Sequence, residues 1–320
     1  MKNRLSLLSS LLAVAALAAC RPAGTPEPTA APVTVRVAVL PILDTLPMHV
    51  AVSQGYFAAE NVILEFVPVA SAAERDQLMQ AGQADAMIND IVSTMFYNKD
   101  AVNIVVVRFA RTATPEFPQF FILAGKDSGI TDVAGLRGVE VAISDATVID
   151  YLTDRLLQAE GLTAGDIKTI AVPRIPDRLA ALADGTVKAA TIPDPAAAAA
   201  MAGGARIIVT DAAHPEYGNS LLSFSAAFVK DHPETVKGIL AAWEKAVTDI
   251  NADKTRWNDV LLNNNLLAEQ LIGRYTLPDY PTASVPTEAQ FSDVNEWAKE
   301  NSLVSVDVSY SNSVNATFLP

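Results

Sequence analysis

The chain is short of cysteine, histidine and basic side chains, and each shortage excludes something. One cysteine, Cys20, stands among 320 residues, so no disulfide can form within the chain and the fold must hold by its core. The three histidines, His49, His214 and His232, are scattered and lack the HxxxH spacing of a metal site, so no metal or other cofactor is expected. Lysine and arginine number 23 against 36 aspartate and glutamate, a net charge of -13. Such a surface repels nucleic acid and anionic lipid head groups, and neither is expected as a partner. Asp184-Gly185 and Gly203-Gly204 read as turns, because neither belongs to GxGxxG or GxxxxGK[ST]. No Ser/His/Asp or Cys/His set stands out that could activate a nucleophile.

What is present begins with Cys20 itself. Lys2 and Arg4 precede an apolar stretch over residues 5–19, which is too short to span a bilayer and ends in Leu17-Ala18-Ala19-Cys20. The pattern resembles the lipobox of bacterial lipoprotein signal peptides, in which the cysteine is acylated and becomes the first mature residue. The alternative is an ordinary secretory signal with an incidental cysteine. The lipobox reading implies an extracytoplasmic protein, tethered by lipid to a bacterial membrane without crossing it. Loss of Lys2 and Arg4 with the leader would take the net charge to -15. Residues 21–33 carry Pro22, Pro26, Pro28 and Pro32 and should form a semi-extended tether outside the fold.

From Thr34 strands and helices alternate. Strands are predicted at 35–40, 62–67, 84–88 and 103–109, with helices at 48–54 and 72–81. A second unit of the same layout follows, with strands at 139–143, 167–172, 187–192 and 205–209 and helices near 146–160, 174–183 and 195–201. Short apolar strands between helices indicate a mostly parallel sheet covered on both faces. A last strand at 222–229 leads into helices at 236–250, 257–263, 268–274 and 288–300. The expectation is an α/β protein of two lobes, 34–124 with 221–320 and then 125–220. Chain crossings near 120–124 and 221–225 would form a hinge.

The runs Val37-Ala38-Val39-Leu40-Pro41, Ala51-Val52-Ser53-Gln54-Gly55-Tyr56-Phe57 and Gly82-Gln83-Ala84-Asp85-Ala86 occur in order with Val133-Ala134-Gly135-Leu136-Arg137-Gly138-Val139 and Pro193-Asp194-Pro195. Together they resemble the extracytoplasmic solute-binding proteins of ABC importers, in the group serving sulfonates, nitrate and thiamine-pyrimidine precursors. The likeness covers roughly residues 34–250. It implies a two-lobe, type II periplasmic-binding-protein fold, with a small-molecule ligand held between the lobes. Its implied partners are permease and ATPase subunits, and the chain itself would be a monomer. A sensor kinase is the alternative partner. An enzyme on the same fold, as in the eukaryotic pyrimidine synthase of this superfamily, is the alternative activity. The loop Leu43-Asp44-Thr45-Leu46-Pro47 departs from the small neutral loops of sulfonate binders.

Ligands of open α/β sheets bind beyond the carboxyl ends of strands. That rule selects Asp44, Thr45 and His49 after the first strand, Asn89 and Asp90 after the third, and Arg111 after the fourth. In the second lobe it selects Ser144, Thr147 and Asp194. Ser144 and its neighbour Asp145 could cap a helix or bring free N–H groups to a polar ligand. Tyr151, one turn on, could stack on a flat ligand or pack internally. Asp90 and Asp194 end matching strands and would suit N–H donors of a heterocycle, unless each is a helix cap. Arg108 and Arg111 point instead to an anion such as a sulfonate or nitrate. His49 beside Met48 could equally be a packing residue.

Overall fold

The computed structural model describes residues 31–320. The leader, the lipobox at Cys20 and most of the Pro-rich tether lie outside the described residues. In the described residues no helix is long and apolar enough to cross a membrane.

The first half runs β1 (Val33–Val39), α1 (Leu46–Ser53), α2 (Tyr56–Ala59), β2 (Val62–Pro68), α3 (Ala72–Gln80), β3 (Ala86–Asn89), α4 (Ile91–Asn98) and β4 (Ile104–Thr112). The second runs β5 (Phe120–Ala124), β6 (Glu140–Ile143), α5 (Val148–Ala159), β7 (Lys168–Ala171), α6 (Ile175–Asp184), β8 (Ala189–Pro193), α7 (Ala196–Ala202) and β9 (Arg206–Thr210). Then come β10 (Asn219–Ser225), α8 (Ala226–Asp231), α9 (Pro233–Ala252), α10 (Asn258–Asn263), α11 (Glu288–Glu300) and α12 (Tyr310–Ser313). Two five-stranded sheets result, ordered β2-β1-β3-β10-β4 and β7-β6-β8-β5-β9. In each sheet the first three strands are parallel, and the fourth enters antiparallel. The two halves therefore share one layout, with β2, β1 and β3 matching β7, β6 and β8. Val35, Val37 and Ala38 of β1 and Val141, Ala142 and Ile143 of β6 are buried, as strands covered on both faces must be.

Three expectations change. Strand 120–124 is no crossing: β5 lies inside the second sheet, bonded to β8 on one edge and β9 on the other. Its five residues Phe-Phe-Ile-Leu-Ala are all buried, so it is a central strand, and the crossing is the preceding segment 113–119. The last strand begins at Asn219 and stops at Ser225, where the Ser225 side chain accepts from the Phe228 N–H and starts α8. Residues 226–229 are thus helical. The helix expected at 268–274 reduces to a single turn, Glu269–Leu271.

The tail serves both halves. α9 packs against α1 and α2 over the first sheet, in a core holding Trp243, Val236 and Ile250. α11 packs against α4 and also reaches α5. There Tyr151 Oη donates to Asp293 at 2.6 Å, and Trp297 Nε1 donates to Asp154 at 2.9 Å. A second core joins Ile91 and Met95 of α4, Ile122 of β5, Leu152 of α5 and Trp297 of α11. The tail helices are therefore packed against elements of both halves.

Candidate functional site

The carboxyl ends of the parallel strands in the two sheets face one cleft, which encloses about 570 Å3 of empty space, part of it open to solvent. From the first half Ile42, Asp44, Ser71, Arg75, Asn89 and Asp90 line it, and Asn219 and Ser220 join them from β10. From the second half come Phe120, Ser144, Thr147, Ile149, Ile175 and Arg178. Beside this space the halves touch directly. Arg174 Nε lies 3.4 Å from Glu74 Oε1, and the Ile175 N–H donates to the Ala70 carbonyl at 3.3 Å.

Several lining groups are placed by helix starts. Asp90 caps α4, its Oδ1 accepting from the Ser93 N–H at 2.8 Å, while Oδ2 lies 3.5 Å from Arg75 Nη1. Burial raises the Asp90 carboxyl, and Arg75 opposes that rise. Thr147 caps α5, accepting from the Ile149 N–H and donating to the Ser144 carbonyl at 2.7 Å. Asn89 accepts from Ser223 at 2.7 Å and is fixed on both sides by donating to Thr94.

Beneath the cleft lies a buried charge cluster. Arg111 Nη2 donates to Asp194 at 3.0 Å and Nη1 lies 3.8 Å from Asp44. Tyr275 Oη donates to the same Asp194 oxygen, and Gln119 Nε2 donates to Asp44 at 3.2 Å. Burial works to lower the guanidinium of Arg111, but Asp194 and Asp44 outweigh it and raise it. Burial raises Asp44, with Arg111 opposing. Arg111 stands in β4 of the first sheet and Asp194 directly after β8 of the second, so this pair joins the two halves.

Of the residues selected from the sequence, Asp44, Asn89, Asp90, Ser144 and Thr147 line the cleft together. Arg111 and Asp194 lie under it, bound to each other. Thr45 is buried, its hydroxyl donating to the Ile42 carbonyl. His49 is turned away, stacked on Phe66 at 4.1 Å, and burial pushes it down to about 4. Tyr151 also faces away, toward Trp297, Tyr217 and Asp293. Arg108 packs over Trp243 beside Glu244, behind the first sheet.

Sequence reasoning missed Arg75 and Arg178, both buried in the cleft wall. The repeat of layout holds the signal for them. Each arginine is the fourth residue of the helix that follows the outermost strand, Arg75 in α3 after β2 and Arg178 in α6 after β7.

Solved structures with the same fold include the alkanesulfonate-binding protein SsuA from Xanthomonas axonopodis pv. citri bound to MOPS. It is 17% identical, with 90% of this chain and 99% of that chain covered and a TM-score of 0.74. The aliphatic sulphonate binding protein SsuA from Escherichia coli is 20% identical, with 87% and 96% covered and a TM-score of 0.69. The desulfurization enzyme DSZB is 14% identical, with 89% and 97% covered and a TM-score of 0.68. A sequence search of curated proteins returns no match. The sequence model of the family described as NMT1/THI5 like matches residues 43–255, two thirds of the chain and nearly all of both sheets, and the chain belongs to that family.

Proposed function

We propose that the protein is the solute-binding component of an ABC importer, closing its two lobes over a small polar molecule. The observation that carries this reading is the cleft itself. Polar groups of both lobes converge there, and Asn89, Asp90 and Thr147 are held in place by bonds to their own lobe, as a pre-formed binding site requires. The similarity to sulfonate-binding importer proteins supports it at the level of fold. Catalysis is the weaker reading although DSZB shares the fold, because fold alone does not decide function. The single cysteine is at position 20, His49 stacks on Phe66, and the described lining residues pair no nucleophile with a base. The sequence favoured a heterocycle whose N–H groups would meet Asp90 and Asp194. Each of those carboxylates already has an arginine partner, which weakens that choice of ligand.

The test is closure. Protein stripped of small molecules by unfolding and refolding should contract when the small-molecule fraction of its own cells is returned, read as a smaller radius of gyration by X-ray scattering. An unchanged profile, with native mass spectrometry showing no adduct, would retire the capture reading.

We also propose that Cys20 carries the lipid anchor, that residues 21–33 hold the folded part off an extracytoplasmic membrane face, and that the protein meets permease and ATPase subunits there as a monomer. The Cys20→Ser protein is expected to fold and bind as before but to leave the membrane fraction. Its retention in membranes after a high-salt wash would remove the anchor from the account.

A further inference from the structure

The two halves place matching charges at matching positions, and one match is broken. In the first half Arg75 meets Asp76 at 2.9 Å and Asp90 at 3.5 Å. The counterpart of Asp90 after β8 is Asp194, and Arg111 holds it instead. Arg178 is left with carbonyls alone. Its Nη1 donates to Val172 at 2.8 Å and Pro173 at 3.4 Å, and its Nε has no hydrogen-bond partner. At 1% exposure it lines the cleft, and it is the only titratable side chain among the described residues of the second lobe that do so. A buried guanidinium without an acid is costly, and burial alone lowers it to about 10. The first residues of α3 and α5, Ala72 and Val148, line the same space, so two helix N-termini add partial positive charge.

The opposite wall has the complementary deficit. Asn219 Oδ1 is buried in the lining without a hydrogen-bond donor, and Asp44 Oδ1 has only Arg111 Nη1, 3.8 Å away, and the neighbouring Ser220 hydroxyl facing it. Buried acceptors and donors left open on two walls of one cleft cost stability unless a ligand satisfies them.

Resting on the capture reading above, we propose that the ligand is a small organic acid bearing a hydrogen-bond donor at its far end. The acid group seats on Arg178 and the donor on Asp44 and Asn219. A carboxylate and a sulfonate present the same chemistry to a guanidinium fork, and a protonated amine is the strongest donor for the Asp44 end.

The test uses 3-aminopropanesulfonate, propanesulfonate, 4-aminobutanoate, butanoate and butylamine, titrated by calorimetry. At least one of the two amino acids should bind, and bind at least tenfold tighter than its counterpart without the amine and than butylamine. Arg178→Met should weaken that binding at least tenfold, since a charge-assisted hydrogen bond is lost. Arg178→Lys should recover part of it. The unliganded melting temperature of the lysine variant should stay near that of the wild type, separating ligand contact from folding. Equal binding by butylamine, no gain from the amine, or full binding by Arg178→Met overturns the assignment, as does silence from all five compounds. Failure here remains distinct from failure of capture. A protein that still contracts around a neutral or cationic solute from its cells is a solute-binding protein with another ligand class.

Discussion

Replacing Arg111 by methionine is expected to destabilise the protein by about 3–5 kcal/mol, because it strips the counter-charge from a buried pair. Asp44 and Asp194 are 3% and 4% exposed and both face this one guanidinium. Without it two carboxylates share a water-poor site, and Asp44 loses the charge that opposes the rise caused by its burial and by Asp194. Tyr275 and Gln119 supply hydrogen bonds but no charge. The loss should therefore depend on pH. It should be largest near pH 8, where Asp44 must stay ionised, and shrink toward pH 5, where burial favours its protonated form. Urea unfolding at the two pH values measures this. A loss below about 1 kcal/mol, in the range of exposed ion pairs, would mean that solvent reaches the cluster. The variant should also show weaker coupling of the lobes, since Arg111 lies in the first sheet and Asp194 directly follows a strand of the second.

The layers of the fold were legible because buried parallel strands are near-continuous apolar runs, and residues 35–39 and 139–143 are apolar, mostly β-branched stretches broken only by Arg36 and Glu140. The crossing strands were harder. Phe120–Ala124 reads as a strand, but only its partners β8 and β9, far along the chain, place it in the second sheet. The strand-end rule found Asp44, Asn89, Asp90, Ser144 and Thr147 because backbone topology alone puts them at the cleft. It failed where a side chain's direction depends on distant partners. Tyr151 is drawn off by Asp293, 142 residues away, and Asp194 by Arg111, 83 residues away. His49 sits on α1, whose residues 46–51 are all buried, so no polar face told which way it points. Arg75 and Arg178 lie in the interior of ordinary-looking helices, where an arginine normally reads as solvated. Only the repeat of β2-α3 in β7-α6 singles them out.

The pH profile of stability should carry the mark of Asp211. This carboxyl is 0% exposed, and its Oδ1 accepts from the N–H groups of Gln119 at 2.9 Å and Phe120 at 3.1 Å. Those residues end the first crossing between the sheets. Its Oδ2 has no hydrogen-bond partner and presses on Gly218 in the second crossing, residues 211–218 between β9 and β10, where an added Cβ would lie 1.9 Å from it. One side chain thus ties both crossings. Burial pushes it up to about 7 from 3.8, against the two backbone donors and the Arg111 charge, which favour the ionised form. The folded state then binds more protons than the unfolded one between those two values. Stability must accordingly fall as pH rises from about 4 to about 7, and level off above. At about 1.4 kcal/mol per unit, a shift of this size contributes on the order of 4 kcal/mol across the window. Asp150, raised by burial to about 6, slopes the same way, so the informative quantity is the difference between wild type and Asp211→Asn. The asparagine keeps an acceptor for Gln119 and Phe120 but cannot ionise, and its profile should be flatter by most of that amount. Superimposable profiles from urea midpoints at pH 4.5, 6 and 8 would mean that Asp211 ionises as an ordinary carboxyl. The two crossings would then be tied by an ionised carboxylate, with no proton between them.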